Sequence, residues 1–177
     1  MNLKQKLWVI KILRQAYRAK RLSNFPATAI TAMAVLESSY GKSIPTDIET
    51  GLVSNNLFGI KSLVKNEQIL FEGDNGSVLC FTHEWSKSKG YYLTKAYFRA
   101  YKNYKSCFLD FVRIVTNSKR GKKQRYREAL KLEVLKDSKL FVHKLWENGY
   151  ATDKDYLQKI YPIIDQLNRI PVFLLKL

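Results

Sequence analysis

The sequence predicts one α+β domain, mainly α, in which a small antiparallel β-hairpin lobe lies between helices. Apolar residues recur at helical spacing near both ends of the chain, whereas the pattern moves towards a period of two beyond Gly59. A length of 177 residues allows one domain a substantial core and is marginal for two. We therefore expect a single domain over 1–177, with the β-lobe at approximately 62–100.

The first expected element is an amphipathic helix from Leu3 to Arg21. Its apolar residues fall on one stripe and its basic residues on the other side, where Lys4, Lys11, Arg14 and Arg18 lie. A basic amphipathic helix can lie on a membrane surface. The commoner arrangement is a packed helix with a solvated basic face, and this is the one we expect.

A second helix is expected from Ala27 to Tyr40. Pro26 and Gly41 stand at its two ends, where proline and glycine commonly begin and terminate helices. We expect Pro26 at its first position. The residues between them are small and apolar on nearly every side, which predicts a central, buried helix.

Two β-strands are expected after a loop that runs from Lys42 to Leu57. Ser77–Trp85 and Tyr91–Arg99 are rich in aromatic and branched residues, as strands commonly are. The segments Gly73–Gly76 and Lys87–Gly90 have the composition of hairpin turns. The pattern therefore predicts an antiparallel hairpin.

Three further helices complete the expected order. Apolar residues mark the first around Phe108, the second up to a stop at Gly149, and the last from about Lys154 to Leu167. Pro162 is expected to kink the last helix or to end its first half. The strongly basic segment Ser118–Arg127 is expected to be a solvated loop.

The charge balance indicates an anionic partner. There are 31 Lys and Arg residues against 15 Asp and Glu, which gives a net charge of +16. Such a field attracts polyanions and opposes weak self-association, so we expect a monomer. Nucleic acid, anionic membrane and anionic cell-wall polymer all remain open on charge alone.

The cysteine and histidine pattern predicts no zinc or iron–sulfur site. Cys80 and Cys107 form no C-x-x-C pair, and His83 stands 60 positions before His143. We expect both cysteines to be reduced packing residues. No apolar run is long enough to span a bilayer.

Glu37 is anomalous among the residues of the second helix. It shares one helix face with Ile30, Met33 and Ala34. Apolar surroundings and the negative end of the helix dipole both disfavour its ionised form, so its pKa is expected to be raised. A protonated carboxyl near neutral pH is what glycosidic bond cleavage needs. The alternative is a structural carboxylate that pairs with a neighbour such as Lys42.

Four short blocks around these elements resemble the glucosaminidase family of peptidoglycan hydrolases (glycoside hydrolase family 73, within the lysozyme-like superfamily). They are A-V-L-E-S-S-Y-G-K-S at 34–43, N-N-L-F-G-I-K at 55–61, F-R-A-Y-K-N-Y at 98–104 and G-Y-A-T-D at 149–153. The blocks follow the family's order. The chain departs from the family pattern at Ser39-Tyr40, at Lys154 and in the basic segment 118–127.

The resemblance implies two catalytic carboxylates. Glu37 matches the family's catalytic acid. The second carboxylate lies in a T-x-E-Y-like strand, for which Thr82-His83-Glu84-Trp85 is the best match, so Glu84 is the candidate. Three other acids in the same region remain open as rivals, namely Glu67, Glu72 and Asp74.

The resemblance also implies substrate-binding residues. Tyr150 matches a family tyrosine that lies beside the acid and helps to hold the sugar. The other candidates are Asn56, Phe58, Tyr40 and Tyr156. We expect Asn56 also to tie its loop and Phe58 to pack the β-lobe against the helices. Asp153 is expected to cap the last helix.

Taken together, the resemblance implies a lysozyme-like fold with a groove between its two lobes. The implied activity is endo-β-N-acetylglucosaminidase cleavage of the β-1,4 bond between N-acetylglucosamine and N-acetylmuramic acid. It implies no cofactor, and its partners are peptidoglycan strands and other wall anions. The place of action would be the bacterial cell wall, extracellular or periplasmic. The first residues do not resemble a signal peptide, so two routes stay open: phage-type lysis or specialised secretion without a Sec signal, or a leader removed ahead of Met1.

Two alternatives remain open at this point. A lytic transglycosylase or muramidase of the same fold would act on the same polymer with different products. A non-catalytic cationic protein that binds cell wall or nucleic acid would use the segment from Lys119 to Arg127. That segment matches no known nucleic-acid module, so we expect no nucleic-acid partner.

Overall fold

The computed structural model describes residues 1–62 and 73–175. It is mainly helical with a two-stranded antiparallel hairpin, so the predicted α+β class is confirmed. The helices and strands are α1 (Leu3–Ser23), α2 (Ala27–Glu37), β1 (Asp74–Ser86), β2 (Gly90–Tyr101), α3 (Tyr104–Asn117), β3 (Lys119–Arg120), β4 (Lys123–Gln124), α4 (Leu132–Leu135), α5 (Ser138–Glu147) and α6 (Tyr156–Asn168), with short 3-10 helices at Arg127–Leu130 and Val172–Leu175.

Helix α2 is the buried centre of the helical core, as predicted. Nearly all of its side chains are buried, and it packs against α1, α5 and α6. It ends at Glu37, three residues earlier than predicted. The Ser38 hydroxyl donates to the Ala34 carbonyl at 2.6 Å and accepts from the Gly41 amide at 3.1 Å, while Ser39 and Tyr40 have positive φ. Side-chain hydrogen bonds therefore replace the last helical turn.

The start of α2 also differs from the prediction. Pro26 is the N-cap residue, with an extended backbone, rather than the first helical residue. At the cap its missing amide leaves no helical hydrogen bond unmade, because the first amides of a helix have no intrahelical partner.

The predicted hairpin is confirmed, with register pairs Glu84–Tyr92 and Trp85–Tyr91 next to the turn. Alternate residues of β1 are buried or half-buried, and Val78 and Cys80 form a small core there with Phe98 and Ala100. The predicted turn at 73–76 is instead the irregular beginning of β1, where the register shifts between Asp74 and Ser77.

A buried carboxylate joins the hairpin to α3. Asp110 is completely buried and accepts from the Tyr101 hydroxyl at 2.7 Å. It also pairs with Arg99 at 3.0 Å and with Arg113 at 2.7 Å. Buried charges persist when they are paired and hydrogen-bonded. These contacts fix the base of the hairpin on the helical core.

The end of the chain corrects the prediction for Asp153 and narrows the one for Pro162. Helix α6 begins at Tyr156 and continues through Pro162 to Asn168, so Pro162 does not end its first half, and the kink stays a prediction. Pro162 is exposed, so water can bind the carbonyl that proline leaves without a donor. The N-cap position belongs to Asp155, and the Asp153 carboxylate accepts from the Asp155 amide at 2.9 Å.

Of the remaining fold predictions, one is confirmed in full and one in part. Cys80 and Cys107 are free and buried, as predicted. The basic segment 118–127 is mostly exposed, as predicted, but it contains the small β3–β4 hairpin instead of being loop throughout. In the described parts of the chain, no helix has the length and apolar character that a bilayer crossing requires.

Candidate active site

Glu37 occupies the last position of α2, where the buried helix reaches the surface. Its neighbours Ala34 and Val35 are buried, but its own side chain is exposed, so its surroundings are more open than the sequence predicts. Burial against the protein nevertheless raises the pKa of Glu37, and a hydrogen bond from Tyr156 opposes part of this rise. Among the described residues, Glu37 makes no ion pair, and the pairing with Lys42 is not formed.

Two tyrosines lie beside the Glu37 carboxyl. The Tyr156 hydroxyl donates to Glu37 Oε1 at 3.4 Å, and the rings of Tyr150 and Tyr156 are 6.1 Å apart. Burial and the nearby Glu37 charge raise the pKa values of both phenols, so both remain protonated donors. Tyr156 is almost fully buried, so its described role is to contact Glu37, whereas Tyr150 is half-buried.

Phe58 supports this pair from behind. It stacks on Phe111 with ring centroids 4.2 Å apart, and Phe111 meets the Tyr150 ring edge-on at 6.0 Å. The predicted packing role of Phe58 is therefore confirmed. A continuous set of rings connects the loop at 55–61 to the carboxyl of Glu37.

Asn56 corrects a site prediction. It is completely buried, and its amide nitrogen donates to the carbonyls of Ile60 and Arg99 at 2.8 and 2.9 Å. Its oxygen accepts from the amides of Phe58 and Ile60. All of these polar atoms are engaged with backbone, so Asn56 ties the loop to β2, as predicted, and offers nothing to a sugar.

Tyr40 is half-buried in the turn that follows Glu37, and its contact with substrate stays a prediction. It packs against the helical core and lines a small apolar cavity with Val9, Val35 and Ile163. Its backbone amide donates to Val35 at 2.8 Å, and its φ is 58°. The structure thus gives Tyr40 a packing role beneath the turn that follows Glu37.

Glu84 lies on the half-buried face of β1, the face that alternation predicts. It forms an ion pair with Lys61, whose backbone forms an isolated antiparallel β-bridge with Phe98 of β2. The pair joins the loop that carries Asn56 and Phe58 to the hairpin. Its side chain is 29% exposed, so water can reach the carboxylate.

The rival acids are placed less favourably or fall outside the described residues. Asp74 accepts from the Gly76 amide at 2.9 Å within the irregular start of β1. Glu67 and Glu72 lie outside the described residues. No cluster of three or more potential His, Cys, Asp or Glu metal ligands occurs within 1–62 and 73–175.

Arg125 is a positioning residue that sequence reasoning missed. Its Nε donates to the Asn148 carbonyl at 2.9 Å, and its Nη2 donates to the Gly149 carbonyl. Gly149 has a φ of +79°, and an added Cβ would approach Arg125 Nη2 to 2.8 Å. Arg125 therefore holds the turn that presents Tyr150. The signal in the sequence is an arginine within the basic segment 118–127, whose composition predicts a solvated loop.

Comparison with known proteins identifies the family of the chain. The family model described as Glucosaminidase: Mannosyl-glycoprotein endo-beta-N-acetylglucosaminidase matches residues 13–169. The chain is 30% identical over 164 residues to the peptidoglycan hydrolase FlgJ of Vibrio cholerae, covering 91% of this chain and 44% of that protein. It is 30% identical to the exo-glucosaminidase LytG of Bacillus subtilis, covering 76% of this chain and 42% of LytG. The chain thus spans less than half the length of these relatives.

Solved structures agree in fold. The catalytic domain of the autolysin Auto from Listeria monocytogenes superposes with a TM-score of 0.73 at 30% identity, covering 95% of this chain and 86% of that domain. A C-terminally truncated glycoside hydrolase domain of FlgJ from Salmonella typhimurium gives 0.70 at 26% identity, covering 94% and 99% respectively.

Proposed function

The chain belongs to the glucosaminidase family, and on that premise we propose that it is a peptidoglycan hydrolase, an endo-β-N-acetylglucosaminidase that uses Glu37 as its general acid. The observation that carries the proposal is the environment of the Glu37 carboxyl. Its pKa is raised, solvent reaches it on one side, and two protonated tyrosines lie on the other. The same acid is the one that the family resemblance selects.

The proposed reaction begins with proton transfer from Glu37 to the glycosidic oxygen that leaves N-acetylglucosamine. The bond from the anomeric carbon to that oxygen then breaks, and water completes the hydrolysis. A raised pKa keeps the proton on Glu37 at the pH where it is needed. The Tyr156 hydroxyl holds the carboxyl in place by its hydrogen bond, and Tyr150 contacts the sugar.

Glu84 is the proposed second carboxylate. It would accept a proton from the attacking water or stabilise the positive charge of the transition state. Its ion pair with Lys61 fixes the carboxylate on the half-buried face of β1, where water can reach it. Attack by the substrate's own acetamido group is a competing route, and the rival carboxylates Glu67, Glu72 and Asp74 are the other candidates.

The substrate class fits the charge of the protein. The net charge of +16 attracts the carboxylates of wall peptides, so action at the bacterial cell wall is part of the proposal. This attraction weakens as salt screens it, which predicts weaker wall binding at high ionic strength. We propose no cofactor, and we propose that the protein acts as a monomer.

Product analysis tests the proposal. Purified peptidoglycan is digested with the wild type, with Glu37→Gln and with Glu133→Gln, an exposed acid in the first turn of α4 that serves as control. We expect new N-acetylglucosamine reducing ends after borohydride reduction, and a loss of about 100-fold or more for Glu37→Gln alone.

The alternatives give different products. Anhydro sugars would indicate a lytic transglycosylase, and reducing ends on muramic acid would indicate a muramidase. Undiminished digestion by Glu37→Gln would contradict the assignment of the acid. Absence of digestion by a folded wild type that still binds the wall would support a non-catalytic binder.

A further inference from the structure

The outward face of the β1–β2 hairpin carries large apolar side chains that contribute little to any core. The exposed fractions are 57% for Phe81, 59% for Trp85, 82% for Tyr91 and 58% for Leu93. The opposite face of the same strands contains Glu84 and the small buried core around Val78. We call the outward residues the outer ladder, which consists of Phe81, His83, Trp85, Tyr91, Leu93 and Lys95.

The register makes these residues one continuous surface. Phe81 pairs with Lys95, His83 with Leu93, and Trp85 with Tyr91. Directly paired side chains on one face lie about 5 Å apart, and successive pairs are separated by about 7 Å along the strands. The outer ladder is therefore one continuous strip with aromatic rings at both ends.

The strip is basic as well as aromatic. Lys95 Nζ lies 5.3 Å from the centre of the Phe81 ring, and the turn between the strands contributes Lys87, whereas Lys89 Nζ lies over the Tyr92 ring on the Glu84 face. Of the described acids near β1, Glu84 points to the other face and is paired with Lys61, and Asp47 accepts from the Leu79 amide. A contiguous apolar patch with polar borders marks a binding surface in soluble proteins.

Building on the proposed function, we propose that the outer ladder is a second glycan-binding surface, separate from Glu37, that holds an N-acetylated, carboxylate-bearing glycan strand of the wall. Aromatic rings contact the apolar faces of sugar rings, while Lys95 and His83 offer donors to hydroxyl, acetamido and carboxylate groups. The two faces of one hairpin would then engage glycan, one at the reacting bond and the other at an adjacent strand.

Two other occupants fit the surface less well. A hairpin that enters a bilayer would carry apolar side chains at its tip, whereas this tip is Ser86-Lys87-Ser88-Lys89-Gly90. A second copy of the chain would bring another charge of +16 against the first, which opposes association. An anionic glycan satisfies both the rings and the lysines.

The test measures binding without turnover. The Glu37→Gln protein is titrated onto insoluble peptidoglycan at physiological salt, and Trp85→Ala/Tyr91→Ala is added in the same background. Leu3→Ala/Leu7→Ala is the matched control, because these α1 side chains are 71% and 61% exposed and lie outside the hairpin. Thermal melting checks that each variant is folded.

We expect the Trp85→Ala/Tyr91→Ala protein to bind about tenfold or more weakly, since the loss of two aromatic anchors removes a binding hot spot. The Leu3→Ala/Leu7→Ala control should bind as its parent does. Equal affinity of all three proteins would overturn the proposal. Because every protein in this assay lacks the Glu37 acid, its outcome is independent of whether the wild type hydrolyses the wall.

Two further arms separate the occupants. Soluble peptidoglycan fragments should protect the tryptophan fluorescence of the Glu37→Gln protein from quenching by acrylamide. The Trp85→Phe substitution should remove that protection. Two results would contradict the glycan assignment, provided that the Trp85→Ala/Tyr91→Ala protein still bound peptidoglycan as its parent does. One is that the substitution abolishes binding to anionic phospholipid vesicles. The other is that it abolishes a dimer that the parent forms in sedimentation experiments.

Discussion

The two glutamates of the candidate site occupy opposite kinds of surroundings. Glu37 ends a helix whose other residues are almost all buried, and its described partner is a neutral tyrosine. Glu84 stands in a two-stranded hairpin and is paired with a lysine. Burial raises the pKa of Glu37, whereas the Glu84 carboxylate contacts the Lys61 ammonium.

This contrast supports the two different roles that we propose for one residue type. An acid that gives a proton needs surroundings that disfavour its charge. The end of α2 supplies these surroundings for Glu37, whereas the hairpin places Glu84 beside a cation. The difference also concerns rigidity, because α2 is held on three sides by helices while a two-stranded hairpin is only marginally stable by itself.

The largest expected effect after Glu37→Gln comes from breaking the hairpin half of the comparison. Glu84→Gln should reduce hydrolysis of peptidoglycan by about tenfold or more, a smaller loss than for Glu37→Gln, because general base assistance contributes on this scale. Lys61→Gln is the matched control, since it removes the same ion pair but keeps the carboxylate. Equal losses in both variants would mean that Glu84 acts only through the pair.

A second prediction concerns the turn that presents Tyr150. Arg125→Ala should lower kcat about tenfold, because two carbonyl contacts that hold this turn are lost and small displacements of a catalytic group are costly. Arg120→Ala removes the same charge from the exposed part of the basic segment and should leave kcat unchanged. A loss of similar size in both variants would indicate a general charge effect instead.

A third prediction concerns the raised pKa of Glu37. Tyr156→Phe removes a hydrogen bond that lowers the pKa of Glu37, so the basic limb of the pH–activity profile should move to higher pH. Activity on the acid side should change by less than about tenfold, given the modest free energy of one hydrogen bond. The control is Tyr161→Phe, on the same helix but beside His143. An unmoved limb would contradict the assignment of Glu37.

The smallest expected effect is on stability. The folded chain holds the Glu37 proton more tightly than the unfolded chain, so the stability from this carboxyl is present below its unfolded pKa and is lost as pH rises through the folded pKa. Glu37→Gln should therefore melt at a slightly higher temperature than the wild type at neutral pH. The difference should vanish in acid, and thermal melts across pH check both parts.

Local pattern was enough to predict much of the fold and the position of Glu37 at the end of α2. The alternation of β1 placed Glu84 on the half-buried face, and the small apolar residues of α2 indicated that Glu37 lies at the end of a buried helix. Periodicity and turn residues report such features because they are set by neighbours in the chain. The predicted end of α2 was wrong because the Ser38 side chain ends the helix three residues early, and Pro162 does not end α6.

By itself, the sequence determined the fold class, the hairpin and the family, and it selected Glu37 as the acid that we propose. Only the tertiary structure decided that Tyr156, 119 positions away, reaches the Glu37 carboxyl, that Asn56 is used entirely by backbone, and that Arg125 holds the turn before Tyr150. The physical reason is that these contacts join elements distant in the chain, and several end on carbonyl groups, which every residue carries and no side-chain pattern marks.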